Sequence, residues 1–252
     1  MDLGGMVVWS RGTAPAVLLS TKIMGKIGKY MAIAENKDKL LKILQYVVKL
    51  VLVGRTSLGL SNAAGSAAQP DWQHFAAVLS LARRLGRLGN WVGAVDAVGA
   101  VGAGKGPGGD GDALARRVAA LASLGNDLLD DWICLQRGRL LARQPCLDAL
   151  DRWSTRLWCV SVTIELHFSV REMRARALRA VREGVRPEAA QAEQQAWLEL
   201  LLRTAKQTCD WVFCAWELGE LARHGHGSQF VPVLMGLSAA GLGTARAWRR
   251  LK

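Results

Sequence analysis

The chain has 252 residues, half of them hydrophobic, and a formal net charge of +12 at pH 7. The apolar content is sufficient for a buried core or for contact with lipid, and the charge calls for an anionic partner, either nucleic acid or anionic lipid. The five cysteines form no Cys-x-x-Cys pair, which argues against a disulfide framework or a zinc site.

Alanine, leucine and arginine dominate the composition while phenylalanine and tyrosine are few, and this favours an all-α fold. We expect residues 1–34 to be a weakly ordered extension and residues 35–252 to be a helical, membrane-associated domain. The predicted helices are 35–53, 72–97, 113–141, 147–182 and 188–223, followed by an apolar segment at 230–248. A loop of Gly, Ser, Asn and Ala is predicted at 54–70, and a glycine-rich linker at 99–111.

The first predicted helix has two distinct faces. At 100° per residue, Lys39, Lys42, Gln45 and Lys49 fall on one narrow face and the aliphatic residues cover the opposite arc. A wide aliphatic face bordered by lysines can lie in the headgroup region, with the ammonium groups reaching lipid phosphates. The same pattern also describes a helix that packs on a soluble core and exposes a basic face. The predicted membrane-binding residues are Lys39, Leu40, Lys42, Leu44, Val47, Lys49 and Val51.

An arginine cluster lies on the second predicted helix. Arg83, Arg84 and Arg87 share one face, and their guanidinium groups could contact lipid phosphates bidentately. They could instead pair with acidic residues of the third predicted helix. Those residues are Asp127, Asp130 and Asp131. Both possibilities are preferred to a ligand site, because no glycine-built anion pocket adjoins the cluster.

The last predicted helix is the best candidate for a membrane span. Residues 227–245 carry no formal charge, and this is just long enough to cross a bilayer. The heavier basic flank follows the segment, which predicts a cytosolic C-terminus. Small residues recur at Gly236, Ala240 and Gly243 and should allow close helix packing in the membrane. The alternative is a buried helix of a soluble bundle.

The sequence contains no convincing catalytic, cofactor or metal site. Residues 99–106 resemble a phosphate-binding loop, but Gly106 stands where a Ser or Thr would hold magnesium. His224 and His226 alone supply too few ligands for a metal site. No nucleophile-elbow pattern surrounds any serine. We therefore expect neither an enzyme nor a bound cofactor.

Several segments, taken in order, resemble the peroxin 11 family of peroxisomal membrane proteins. Residues 36–46 are similar to its Gly-Arg-Asp-Lys signature and the aliphatic-basic helix after it, with Asn36 in place of Gly. Residues 79–90 resemble its Ser-x-x-Arg-Lys-x-x-Arg-Leu-Gly segment. Later similarities are Asn126-Asp127 with Trp132, Arg152-Trp153 with Trp158 and Ser161, and Thr208-Cys209-Asp210. The resemblance covers about residues 35–252; residues 1–34 and 99–111 depart from the pattern.

The resemblance implies a protein that elongates and divides peroxisomes from within their membrane. It implies insertion of an amphipathic helix into the cytosolic leaflet, an anionic phospholipid membrane as partner, and self-association into homo-oligomers. It also implies cooperation with a dynamin-related GTPase and its membrane adaptor.

Two other functions stay open. A peroxisomal membrane channel for small metabolites predicts polar residues along oligomerised spans, and the last predicted helix offers few. A basic, soluble, helical nucleic-acid-binding protein predicts aromatic residues interleaved with basic ones on one face. Trp91 near Arg84 and Arg87 is the only hint of that pattern. We therefore expect lipid, and no nucleic acid, as the anionic partner.

Overall fold

The computed structural model describes residues 26–58, 71–102, 110–141, 145–183, 190–219 and 229–251, and all regular structure within them is helical. Residues 26–32 form a first short helical segment. The following helices are α1 (Ala34–Ser57), α2 (Trp72–Leu85), α3 (Trp91–Gly102), α4 (Asp110–Arg137), α5 (Leu147–Glu183), α6 (Ala190–Leu218) and α7 (Phe230–Arg250). The predicted all-α class is confirmed. Residues 1–25 of the predicted extension, and His224 and His226, lie outside the described residues.

The predicted continuous helix over 72–97 is wrong. α2 ends at Leu85, and α3 begins at Trp91 after a five-residue turn. Gly89 in this turn has φ +85°, a left-handed conformation that glycine adopts without steric cost. Its backbone N–H donates to Asp131 Oδ2 on α4 at 2.8 Å. The turn is therefore fixed by a contact from another helix, which local periodicity does not reveal.

Six helices form a closed ring. α1 packs against α2, α2 against α4, α4 against α5, α5 against α6, α6 against α7, and α7 against α1. α3 packs mainly on α4, outside this ring. Inside it, the Phe213 ring of α6 lies 6.1 Å from Tyr46 of α1 and 5.8 Å from Trp158 of α5, measured between centroids. Helices distant in sequence are thereby joined through aromatic side chains.

Helix α7 has the length and composition of a membrane span, and it is the one such helix among the described residues. Its 21 residues extend about 32 Å at 1.5 Å per residue, of which the uncharged part, 230–245, accounts for about 24 Å of a hydrocarbon core about 30 Å thick. The predicted C-terminal transmembrane candidate is therefore present. α7 runs antiparallel to α1, because Tyr46 contacts Gly236 whereas Lys39 contacts Gly243.

The described bundle has an unusual distribution of polarity. Polar residues such as Asn36, Gln45 and Asp210 are at most 3% exposed as whole residues. Many large apolar side chains of the described helices are exposed. They outnumber the buried apolar residues of all sizes. A water-soluble bundle generally shows the opposite arrangement, and extensive exposed apolar surface marks contact with lipid or another protein.

Candidate membrane-binding site

The aliphatic face of α1 points away from the bundle. Leu44, Val47 and Val51 are 44%, 41% and 47% exposed, and Leu40 is half-buried. These four residues, here called the outer stripe, follow each other at intervals of four, three and four, so they share one side of the helix. The stripe therefore offers a continuous aliphatic surface on a helix that also packs against α7.

The lysine face of α1 points into the bundle. Lys39 Nζ lies 2.6 Å from Glu35 Oε1, and its aliphatic stem lies beside Gly243 on α7. Lys42 Nζ lies 3.5 Å from Asp210 Oδ1, and Lys49 Nζ lies 5.3 Å from the centroid of the Tyr46 ring. In this arrangement the lysines do not reach outward. Their contact with lipid phosphate stays a prediction, and it would require α1 to leave the bundle.

Asp210 is the polar residue that holds α1 to α6, and sequence reasoning did not include it among the site residues. Its side chain is 4% exposed, and Oδ2 lies 2.6 Å from Lys206 Nζ. One turn earlier, Gln207 accepts a hydrogen bond from Ser169 Oγ at 2.6 Å and donates to Glu165 Oε2 at 3.2 Å, which ties α6 to α5. The sequence does carry a signal for this role. The polar residues Lys206, Gln207 and Asp210 fall within about one helical turn and precede an apolar segment of α6.

Arg83 connects the first two segments of the family resemblance, residues 36–46 and 79–90. Its Nη1 donates to Gln45 Oε1 at 2.6 Å, and its Nε donates to Asp38 Oδ1 at 3.2 Å. Asp38 and Gln45 both belong to α1, whereas Arg83 lies near the end of α2. Because the hydrogen-bonded groups are largely buried, these contacts fix the α1–α2 hairpin in one register.

Arg84 and Arg87 extend this connection to α4 and α5. Arg84 Nη1 and Arg87 Nη2 lie 2.6 Å and 2.9 Å from the two oxygens of Asp130. Arg84 Nη2 also lies 3.3 Å from Asp151 Oδ1 on α5. The structure therefore shows the pairing with acidic residues that the sequence offered as an alternative. Contact of the three arginines with lipid phosphate stays a prediction.

Asn126 and Asp127, from the third segment of resemblance, lie near the same network. Ser154 Oγ on α5 donates to Asn126 Oδ1 at 2.9 Å, and the Asn126 amide donates to Asp127 Oδ1 at 3.4 Å. Burial raises the pKa of the Asp127 carboxyl, and the Arg87 guanidinium partly offsets this. Segments distant in sequence thus meet at one polar interface within the bundle.

The small residues of α7 lie where this helix packs on its neighbours. Gly236 is buried, and a Cβ atom there would lie 2.3 Å from Cζ of Tyr46. Gly243 is also buried, close to Lys39 of α1 and Lys206 of α6, and Ala240 is 3% exposed. These residues therefore serve close packing within one chain, so they leave no free surface on this side of α7.

Comparison with known proteins agrees with this geometry. A family model described as Peroxisomal biogenesis factor 11 (PEX11) matches residues 24–248, nearly the whole chain. No similar curated protein and no similar solved structure was found. The match includes α1 to α6 and nearly all of α7, and with them the whole polar interface described above. The chain therefore belongs to the peroxisomal biogenesis factor 11 family, whose members act in peroxisome biogenesis.

Proposed function

We propose that this protein elongates and helps divide peroxisomes by inserting the outer stripe of α1 into their membrane and by self-association. One observation carries the proposal. The aliphatic side of α1 faces outward on a helix that packs against the candidate span α7, while Lys39 and Lys42 are turned into the bundle. A helix with this orientation can meet hydrocarbon without exposing its charged side chains.

The energetics favour insertion of α1 together with α7. Complete burial of a valine or leucine side chain contributes about 1.5–3 kcal/mol, and the three exposed members of the stripe are a little under half exposed. Each should therefore gain roughly 1 kcal/mol on entering lipid. Because α7 already anchors the chain beside them, this gain does not have to offset the entropy of bringing a free helix to the membrane.

Basic residues gather at one end of the α1–α7 pair. The helices are antiparallel, so exposed Lys37, near the start of α1, and exposed Arg249, near the end of α7, lie at the same end. Arg246 belongs to this end as well, where it pairs with Glu199 at 2.7 Å. This end faces the cytosol in the proposal, and each exposed cation adds about 1 kcal/mol of attraction to an anionic leaflet.

Substitution of the outer stripe tests the proposal in the full-length protein. Leu44→Asp with Val47→Asp places two carboxylates in lipid, at roughly 3 kcal/mol each for a residue near the bilayer centre. The matched control is Leu178→Asp with Val181→Asp, an exposed pair on α5 with the same spacing. We expect the stripe variant to lose vesicle binding and tubulation while the control retains both. A stripe variant that is folded and tubulates vesicles like the control would contradict the proposal.

Self-association and localisation are part of the same proposal. α3 leaves Trp91, Val92 and Val95 exposed, and this apolar surface is available to a second copy of the chain. Anionic phospholipid, copies of the chain, and a dynamin-related GTPase with its adaptor are the proposed partners. A fluorescent fusion should mark the peroxisomal membrane and lengthen peroxisomes as its dose rises. A fusion that stays diffuse in the cytosol, or enters the nucleus, contradicts this localisation.

The nucleic-acid alternative is less well supported by the bundle. It requires the arginines of α2 to face outward, whereas the side chains of Arg83 and Arg84 are 12% and 18% exposed and engaged with carboxylates.

A further inference from the structure

A cavity of about 810 Å³ lies within the helix ring, between the α1–α2 pair and the α6–α7 pair. Cavities of roughly 300–1,000 Å³ are typical of small-molecule sites. The lining runs from Gln73 to Arg84 along α2, which corresponds to about 16 Å at 1.5 Å per residue. The cavity is therefore elongated along the helices, a shape suited to an extended chain. No residue of the outer stripe lines it, so it is separate from the proposed membrane-binding surface.

One part of the lining is cationic. Lys49, Arg84 and Arg137 all line the cavity. Arg84 and Arg137 are both held by Asp151, at 3.3 Å and 3.2 Å, and Asp151 itself does not line the cavity. Arg84 is also paired with Asp130 at 2.6 Å, and neither Asp130 nor Asp151 belongs to the lining.

Lys49 differs from the two arginines in having no close counter-ion. Its ammonium lies over the Tyr46 ring, and no carboxylate of the described residues approaches Nζ within 4 Å. Glu217 lines the same cavity, and its carboxylate attracts the Lys49 ammonium from beyond ion-pair distance. The three N–H donors of Lys49 are thus available to an anion that enters the cavity.

The remaining walls combine apolar side chains with polar ones, among them Gln45, His74 and Glu217. Leu52 and Val53 continue the α1 side, Phe213 and Trp216 line the α6 side, and Val233 contributes from α7. Aromatic and aliphatic walls with a few placed polar groups are the usual composition of a site for an apolar ligand with a charged end. An inorganic anion would leave these walls uncovered, and a plain hydrocarbon would leave the Lys49 ammonium unpaired.

We propose that this cavity binds a single-chain anionic lipid, with the acyl chain along the apolar walls and the anionic head at Lys49. The head group is a carboxylate or a phosphate, since either accepts hydrogen bonds from an ammonium. The ligand is thus a fatty acid or a lysophospholipid. The proposal does not depend on membrane remodelling, because none of the stripe residues takes part.

Photo-crosslinking of the full-length protein in phosphatidylcholine nanodiscs tests the proposal. The probe is palmitate with a diazirine near the end of its chain, and labelled peptides are identified by mass spectrometry. We expect labelling at the cavity walls that excess palmitate or palmitoyl lysophosphatidate removes, and that hexadecanol or inorganic phosphate does not. The more effective of the two anionic competitors identifies the head group as carboxylate or phosphate.

Two pairs of variants test the two halves of the site. Lys49→Gln should weaken competition by palmitate about tenfold, the effect of replacing a charge-assisted hydrogen bond by a neutral one, while Arg174→Gln on the exterior of α5 should not. Ala77→Phe, which narrows the cavity, should abolish the competed labelling, while Ala177→Phe on the exterior of α5 should not. Thermal unfolding confirms that each variant is folded.

Four results would overturn the proposal. The first is the absence of competed labelling in the cavity. The second is competition by hexadecanol equal to that by palmitate, since the charge would then be irrelevant. The third is competition by inorganic phosphate alone, since the acyl chain would then be irrelevant. The fourth is a folded Lys49→Gln variant that binds palmitate as the original chain does.

Discussion

Reversing the charge of Lys42 distinguishes a lysine held inside the bundle from one that contacts lipid phosphate. In the structure its ammonium lies 3.5 Å from the Asp210 carboxylate, and the two side chains are 17% and 4% exposed. Lys42→Glu replaces this attraction with repulsion between two largely buried carboxylates. Breaking a buried ion pair costs about 3–5 kcal/mol. We expect a value near 3 kcal/mol, because Lys206 still provides Asp210 with a partner.

A loss of this size is measurable by thermal unfolding. For a chain of this length each kcal/mol lowers the melting temperature by about 2–4 °C, so Lys42→Glu should lower it by about 6–12 °C. The full-length protein is compared in neutral nanodiscs, where lipid charge does not contribute. Lys37→Glu is the control, because Lys37 lies on the same helix and is exposed. It should leave the melting temperature nearly unchanged.

The swapped double variant, Lys42→Glu with Asp210→Lys, restores opposite charges across the same contact. It should recover part of the lost stability, and the double-mutant cycle gives the coupling energy of the pair. Recovery should be incomplete, because Lys206 would then face a lysine at position 210. The reasoning is refuted if Lys42→Glu melts like the original chain and loses binding to anionic vesicles instead. That result would place Lys42 at the lipid phosphates.

Two further predictions concern packing and the arginine contacts. Gly236→Ala should destabilise the protein by about 1–3 kcal/mol in thermal unfolding, because the new Cβ would lie 2.3 Å from the Tyr46 ring. Gly241→Ala, on the open side of the same helix, should instead be neutral or stabilise by up to about 1 kcal/mol, and equal effects would contradict the packing. Asp130→Asn removes the charge that two arginines of α2 share and should cost about 2 kcal/mol in denaturant unfolding. Asp96→Asn, at an exposed site on α3, should change little, and similar losses in both variants would count against the network.

The helices were predictable because their signals are local. The apolar segment that becomes α7 and the breaks near Pro70, Pro145 and Pro187 are visible in the residues themselves. The end of α2 was missed because the turn at Gly89 depends on Asp131, which is 42 residues away in sequence. Gly86, Gly89 and Asn90 are a local turn signal, but the contact with Asp131 that fixes the turn is not visible in that segment.

The two faces of α1 follow from sequence alone, since 100° per residue separates Lys42 from Leu44 on any regular helix. Which face turns outward was decided by the tertiary structure. Asp210 lies 168 residues from Lys42, and Gly236 gives the Tyr46 ring space against α7. These contacts draw the polar face inward, because a buried ammonium needs a carboxylate and only the fold supplies one. The aliphatic face is therefore left on the outside of the bundle. The sequence by itself allowed this face to meet either lipid or a protein core.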